Sequence, residues 1–211
     1  MRNKTLLALA VAGILLSACG DDGGEVGTGS PGSTSTSTRA PVATTSVPAT
    51  TTPTTVAGPA LNESSKLDLR GLGPVRVGMT LAEATAAAGI PVVASADTAE
   101  CTYATAQGGP EGVNFMVVDR KIARIDVRGA SPVKTRSGAG VGDTEAQVQA
   151  LYPPLEVSDH KYVPGGHYLT FVPDDPADAD FRLIFETDAS SKVTAIRSGR
   201  LPEVAYVEGC S

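Results

Sequence analysis

The stretch VRVGMTLAEATAAAGIPVV, residues 75–93, decides the reading of the fold because the chain carries a partial copy of it, GAGVGDTEAQVQALYPPLEV, at residues 138–157. Laid over one another, Val77-Gly78-Met79-Thr80 meets Val141-Gly142-Asp143-Thr144 at an offset of 64. Self-similarity of this kind predicts two units built alike. Thr80 and Glu83 have the spacing of a capping box, in which the hydroxyl accepts from an exposed backbone N–H while the later side chain reaches back; Thr144 and Gln147 repeat it. A helix is therefore predicted over Leu81 to Ala88, ended by Gly89 with Pro91 beyond, and a second over Glu145 to Tyr152, stopped by Pro153-Pro154. Val148, Leu151 and Tyr152 share one stripe of the second helix, so that face is expected to be buried.

Each helix runs on into strand-like sequence. In the first unit the strands are 101–104, 113–118 and 121–127, with Gln107-Gly108-Gly109-Pro110 and Asp119-Arg120 at turns. In the second they are 160–163, 167–172, 181–187 and 192–196, with Val163-Pro164-Gly165-Gly166 as a tight turn. A short capped helix packed on an antiparallel β-meander, twice over, is an α+β fold of two tandem units. The units cover about 72–130 and 137–200, and a C-terminal segment 201–211 follows.

The Gly78-Met79-Thr80 motif, opening a short helix ahead of an antiparallel sheet, resembles the repeat of the beta-lactamase inhibitory protein. More loosely it is similar to the small lipoprotein subunit of the outer-membrane protein assembly machinery. The resemblance covers roughly residues 72–198 and implies short helices on an antiparallel sheet and a protein-binding role without turnover. Gly142-Asp143-Thr144 departs from the motif in the second unit. The aromatic-rich binding face of the inhibitory protein has no counterpart among 5 tyrosines, 4 phenylalanines and no tryptophan. The segments TRSGAGVGD, YVPGGHYLTF, LIFETD and VTAIRSGRLPEVAYVEGC also resemble uncharacterised lipoproteins of high-G+C Gram-positive bacteria.

Ahead of the predicted domain stand the three parts of an export signal over residues 1–18. Arg2 and Lys4 supply charge, TLLALAVAGILL supplies an apolar run, and small residues precede Cys19. The run is too short for a permanent span, which needs roughly 20 apolar residues. Leu16-Ser17-Ala18-Cys19 resembles a lipobox, which implies diacylglycerol on the Cys19 sulfur and cleavage before it. The competing reading, an ordinary secretory signal cut after Ala18, leaves Cys19 incidental. Two acyl chains, at roughly 0.8 kcal/mol per buried methylene, give stable anchoring where one is marginal.

Residues 19–66 read as a lipidated cysteine followed by a disordered Ser/Thr/Pro/Gly-rich tether, with blocks such as TSTST and ATTSVPATTTPTT. Ordering such a chain costs roughly 1–2 kcal/mol per residue, and this composition has little apolar surface to offset it. Around 45 flexible residues span about 35–40 Å root-mean-square. Loss of the signal's two basic residues leaves 15 basic against 23 acidic. That balance excludes nucleic acid and a polybasic hold on anionic lipid as modes of binding.

Cys101 and Cys210 remain as one pair outside the cytosol, predicting a disulfide. Such a bridge contributes roughly 4–5 kcal/mol by loop entropy, and it draws Val204 to Cys210 back along the first unit as an edge strand or an extended cover. His160 and His167, the only histidines, are placed by the predicted hairpin on one sheet face, with Tyr162 opposite His167. His160, Tyr162, His167 and Tyr168 form a candidate partner-binding patch, with Arg124 and Arg128 as cationic additions from the cluster that includes Arg120 and Lys121. Zinc would need further ligands. The acidic run 174–180 lacks the glycine and terminal glutamate of an EF-hand loop. No cofactor, catalytic residue or metal site is assigned, since GxSxG, HExxH and a phosphate-binding lysine loop are all missing from the sequence.

The expectation is a lipid-anchored envelope or cell-surface lipoprotein, its domain (67–211) on the extracytoplasmic side of the cell membrane. It is expected to bind an envelope or extracellular protein through an exposed sheet face, with a cell-wall polymer as another partner class. The alternatives are an envelope enzyme or small-molecule sensor using His160 and His167, and a structural lipoprotein without a specific ligand.

Overall fold

A computed structural model describes residues 60–96 and 100–210. The expected signal segment, Cys19 and the Thr/Pro blocks lie outside the described residues. The fold is α+β, mostly sheet, with two antiparallel sheets and two α-helices among the described residues.

The small sheet joins β1 (Leu67–Asp68), β2 (Gly71–Leu72) and β3 (Val75–Arg76) in that order. The chain then enters α1 (Leu81–Ala88) and β4 (Val92–Ala94). β5 (Cys101–Ala106), β6 (Val113–Val118) and β7 (Lys121–Arg128) follow. After α2 (Glu145–Leu151) come β8 (Glu156–Asp159), β9 (His167–Phe171), β10 (Phe181–Thr187) and β11 (Val193–Arg200). β4 to β11 make one eight-stranded sheet in the order β4-β5-β6-β7-β11-β10-β9-β8. Two four-stranded meanders thus meet at their last strands, β7 and β11, paired antiparallel with Asp126 opposite Arg197.

The capping boxes form at both helix starts: the Thr80 hydroxyl accepts from Glu83 N and the Thr144 hydroxyl from Gln147 N, while each later side chain accepts from the cap backbone. Gly89 ends α1 at φ 69°, a left-handed conformation that favours glycine. The loop before each helix docks on the last strand of its meander in the same way. Gly78 N donates to Ile122 O at 2.7 Å and Gly142 N to Val193 O at 2.8 Å; in return Ile122 N donates to Met79 O and Val193 N to Asp143 O. Both strands also carry an irregularity near their starts, at Ala123 and at Thr194, where the register with the neighbouring strand shifts.

The main core lies on the helix side of the large sheet. Ala84 and Ala88 of α1, Val148 of α2 and Leu67, Leu72 and Val75 of the small sheet pack with Phe115, Ile122, Ile125, Phe185 and Ile196. Tyr152 closes it, its ring 5.4 Å from those of Phe171 and Phe185. Burial of each such large apolar side chain contributes about 1.5–3 kcal/mol.

The folded body begins earlier than composition suggests. Leu61 is buried and its N–H donates to Ala88 O at 2.9 Å, so residues 61–66, read from sequence as tether, belong to the fold. The strand expected at 160–163 is replaced by β8 just before it, and residues 160–166 form the connection to β9. β8 is exposed throughout, so it carries no alternation by which to recognise it.

Candidate functional site

The second face of the large sheet is crossed at its centre by the C-terminal segment. After β11 the chain turns through a cis Leu201–Pro202 bond and a 3-10 turn at Glu203–Ala205. It then crosses the sheet as a strap that ends with the Cys210 sulfur at disulfide distance from Cys101, Cα to Cα 5.4 Å. Of the two paths expected for this segment, it takes the extended cover and not the edge strand: no strand is assigned to it.

What holds the strap is mainly polar. Arg124 is fully buried, and its Nη1 donates to Glu203 O at 3.0 Å and to Tyr206 O at 2.7 Å. Its Nε donates to Asp126 Oδ2 at 3.1 Å and its Nη2 to the Tyr103 hydroxyl at 3.1 Å. Arg197, also buried, donates to Tyr206 O at 2.8 Å, sits 3.0 Å from Glu186 Oε1 and lies over the Tyr168 ring. Val204 supplies the apolar contact, packing on Tyr168 and Ile184. Gly199 lies opposite Arg124 across the β7–β11 pair, where a Cβ would run into the Ala123 carbonyl and the Arg124 backbone. Burial lowers the Arg197 pKa, with the Glu186 carboxylate opposing that shift.

Further along, Glu208 is clamped from the 160–166 loop. Lys161 Nζ donates to its Oε1 at 2.7 Å and the Tyr162 hydroxyl donates to the same oxygen. The Lys161 and Tyr162 hydrogen bonds hold the Glu208 pKa below the usual carboxylate range, and Glu208 raises that of Lys161.

These contacts rearrange the patch expected from sequence. His160 and His167 do not share a face. His160 stacks on Tyr168 at 4.5 Å on the strap side, its Nδ1 accepting from Tyr162 N and Val163 N and its Nε2 3.6 Å from Glu186. His167 points the other way, its Nδ1 2.7 Å from Glu145 Oε1 at the start of α2. The reason is the period of two along β9, which sends neighbours His167 and Tyr168 to opposite faces, while His160 lies in the loop and not on a paired strand. Burial opposes ionisation of Glu145, but hydrogen bonds from Thr187 and His167 outweigh it and lower its pKa. No single site can use both imidazoles.

Arg124 is not a surface cation, because the strap lies over it; Tyr168 is likewise buried. Arg128 stays 47 % exposed beside Asp126, and Tyr162 is exposed. The sequence reading missed Asp126, Glu186, Arg197, Glu203, Tyr206 and Glu208. A signal existed: Arg124 and Asp126, two apart on a strand otherwise rich in buried apolar residues, mark one face as charged and covered.

Among the described residues no three His, Cys, Asp or Glu side chains gather as metal ligands, and no helix is long and apolar enough to cross a membrane. The acidic run is a solvated turn in which Asp175 caps the 3-10 segment Pro176–Asp178 and Asp178 pairs with Arg70. No protein-family model, curated protein or solved structure matches the chain.

Proposed function

We propose that the chain is a lipoprotein anchored through acylated Cys19 on the extracytoplasmic side of a cell membrane, whose domain binds another envelope or extracellular protein through the strapped face of its sheet. The observation that carries this reading is the pinned strap with its exposed residues. Tyr162 and Tyr206 are 57 % and 43 % exposed and Leu201 is 37 % exposed, and Glu208 of the strap is bonded by Lys161 and Tyr162 of the neighbouring loop. Tyrosine is enriched at the energetic centres of protein interfaces, and a surface already held rigid loses less entropy on binding.

The domain is, in this proposal, a pair of equivalent units of the kind found in the beta-lactamase inhibitory protein. Supporting that are the matched docking bonds of Gly78 and Gly142 and the meeting of the two last strands at the sheet centre. DRKIARIDVRG at 119–129 also aligns in sequence with SSKVTAIRSGR at 190–200, and the left-handed Arg120 and Ser191 fall at matching places.

The test is capture from envelope extract by the detergent-solubilised chain, followed by titration of the captured protein. Saturable binding that is lost in Tyr162→Ala/Tyr206→Ala, with the circular dichroism spectrum unchanged, supports the reading. Absence of any saturable partner, or equal binding by the double variant, overturns it.

A further inference from the structure

We infer that β8 is the contact through which two copies of the chain pair, edge to edge and antiparallel about a two-fold axis, so that their large sheets join. β4 and β8 are the two edge strands of the eight-stranded sheet. In an edge strand every second residue turns its N–H and C=O outward. The bonds that continue each pairing show which residues these are. His160 N donates to Gly166 O at 2.9 Å, in register with the Asp159–His167 pair. Ser158–Tyr168 and Glu156–Thr170 are therefore the bonded pairs of β8 with β9, and Val157 and Asp159 face out. At the opposite edge Gln107 N donates to Pro91 O and Ser95 N to Tyr103 O, so Val92 and Ala94 face out there.

The two edges differ. Val92 N donates to Thr85 Oγ1 at 3.0 Å, so α1 covers the start of β4. Among the described residues no group bonds to the outward N–H and C=O of Val157 and Asp159. Nor does β8 carry a proline or a bulge that would turn a neighbour away. The strand is exposed along its length, Val157 at 52 %. Unpaired edge groups of this kind are a template for one more strand.

The order of charges along the edge selects which strand. Glu156 opens β8, while His160 and Lys161 follow its end. A second β8 running antiparallel reverses that order. When Val157 of each copy bonds to Asp159 of the other, every outward N–H and C=O is used, and Glu156 falls opposite His160 beside Lys161. Ser158 then meets Ser158 of the second copy on the two-fold axis. A slip of the register in one direction sets Asp159 opposite Asp159; in the other it moves Glu156 from the His160–Lys161 end onto Ser158. On the helix side the two Val157 side chains meet on one diagonal and the two Asp159 carboxylates on the other. Two outward residues on each copy make a small, reversible contact and not an obligate dimer.

This inference does not rest on the protein-docking reading, since β8 lies at the sheet edge and the docking reading uses the strap. The test is oxidative trapping of the full chain in unlysed cells and their medium, which applies with or without a lipid anchor. Facing residues not joined by main-chain bonds stand about 4.5 Å apart between Cα atoms, within reach of a disulfide. Ser158→Cys is therefore expected to give a band at the mass of two chains on non-reducing gels, linked 158 to 158 by peptide mapping. Ser190→Cys, exposed on the β10–β11 turn, is expected to give none. Val157→Pro added to Ser158→Cys removes an outward N–H and none of the β8–β9 bonds, and is expected to abolish the band. Asp159→Asn added to Ser158→Cys removes the diagonal repulsion and is expected to strengthen it. Circular dichroism and an intact Cys101–Cys210 link establish that each variant is folded. A Ser158→Cys band no stronger than that of Ser190→Cys overturns the inference, the edge then being open or held by another chain. A band that survives in a folded proline variant overturns it too; where that variant does not fold, a band unchanged or weakened by Asp159→Asn does so.

Discussion

Replacing Arg124 by leucine tests whether a buried guanidinium is what fastens the C-terminal strap. The side chain is fully buried and donates to Glu203 O, Tyr206 O, Asp126 Oδ2 and the Tyr103 hydroxyl. On its loss Tyr206 O keeps its bond from Arg197, but Glu203 O loses the Arg124 donor and Asp126 is left with only the Arg128 contact at 3.7 Å. Stranding one charge of a buried pair costs about 3–5 kcal/mol, so Arg124→Leu is expected to lower unfolding free energy by about that much. Replacing both charges removes the stranded carboxylate. Arg124→Leu/Asp126→Leu is therefore expected to recover at least about 1–2 kcal/mol of the loss, as apolar replacement of buried pairs generally costs little. Urea unfolding of the four proteins in the double-mutant cycle, without reductant, reads both quantities. A loss below about 1 kcal/mol for the single variant, or a double variant no better than the single, refutes the reasoning.

Four further outcomes follow from the same contacts. Cys101→Ser/Cys210→Ser opens a closure across a sequence separation of 109 residues and is expected to lower stability by up to about 4–5 kcal/mol, read by urea unfolding against the unreduced parent. Because the Glu208 pKa is depressed, its clamp on the strap is complete above the ordinary carboxylate range and lost as pH falls through the lowered value; hydrogen exchange at 206–210, corrected for intrinsic rates, is expected to show weaker protection at acid pH, and Glu208→Gln to abolish the difference. Thr80→Ala and Thr144→Ala each remove a cap, and each is expected to cost about 1 kcal/mol by thermal unfolding. Cys19→Ala is expected to abolish incorporation of labelled palmitate and to release the chain from the membrane fraction, as measured by fluorography and fractionation.

The parts of the fold legible in the sequence were those with a local chemical signature. Both helix starts were readable because a hydroxyl followed three residues on by Glu or Gln has one efficient use, and α1 runs over Leu81–Ala88 as its cap and Gly89 require. Val113–Val118 was readable because an apolar run bounded by turns has few alternatives. The two-residue strands β1, β2 and β3 were not, since a pair of residues has no period and their pairing is decided by packing against the main core. The histidine patch failed for a sharper reason. Ending β8 at Asp159 moves His160 into a loop, where its position is set by stacking on Tyr168 and no longer by strand register.

The strap was half legible, and what was missed bears most on function. Cysteine counting paired Cys101 with Cys210, which fixes the destination of the C-terminal segment but says nothing of its route. The route is set by Arg124 and Arg197, whose guanidinium groups both reach the carbonyl of Tyr206 from the centre of the sheet. A segment led across the middle of an eight-stranded sheet divides that face, leaving a tyrosine-flanked ridge along the strap and the Asp126–Arg128 groove beside it. Ordering the strap costs roughly 1–2 kcal/mol of backbone entropy for each residue, and that cost is met once, on folding. Whatever docks on the ridge therefore meets a surface already in place, so variants that free the strap without touching an exposed residue, such as Cys101→Ser/Cys210→Ser, are expected to weaken that binding. Undiminished binding to a demonstrably unprotected strap, read by hydrogen exchange in the same sample, would separate the binding surface from the strap and break this link.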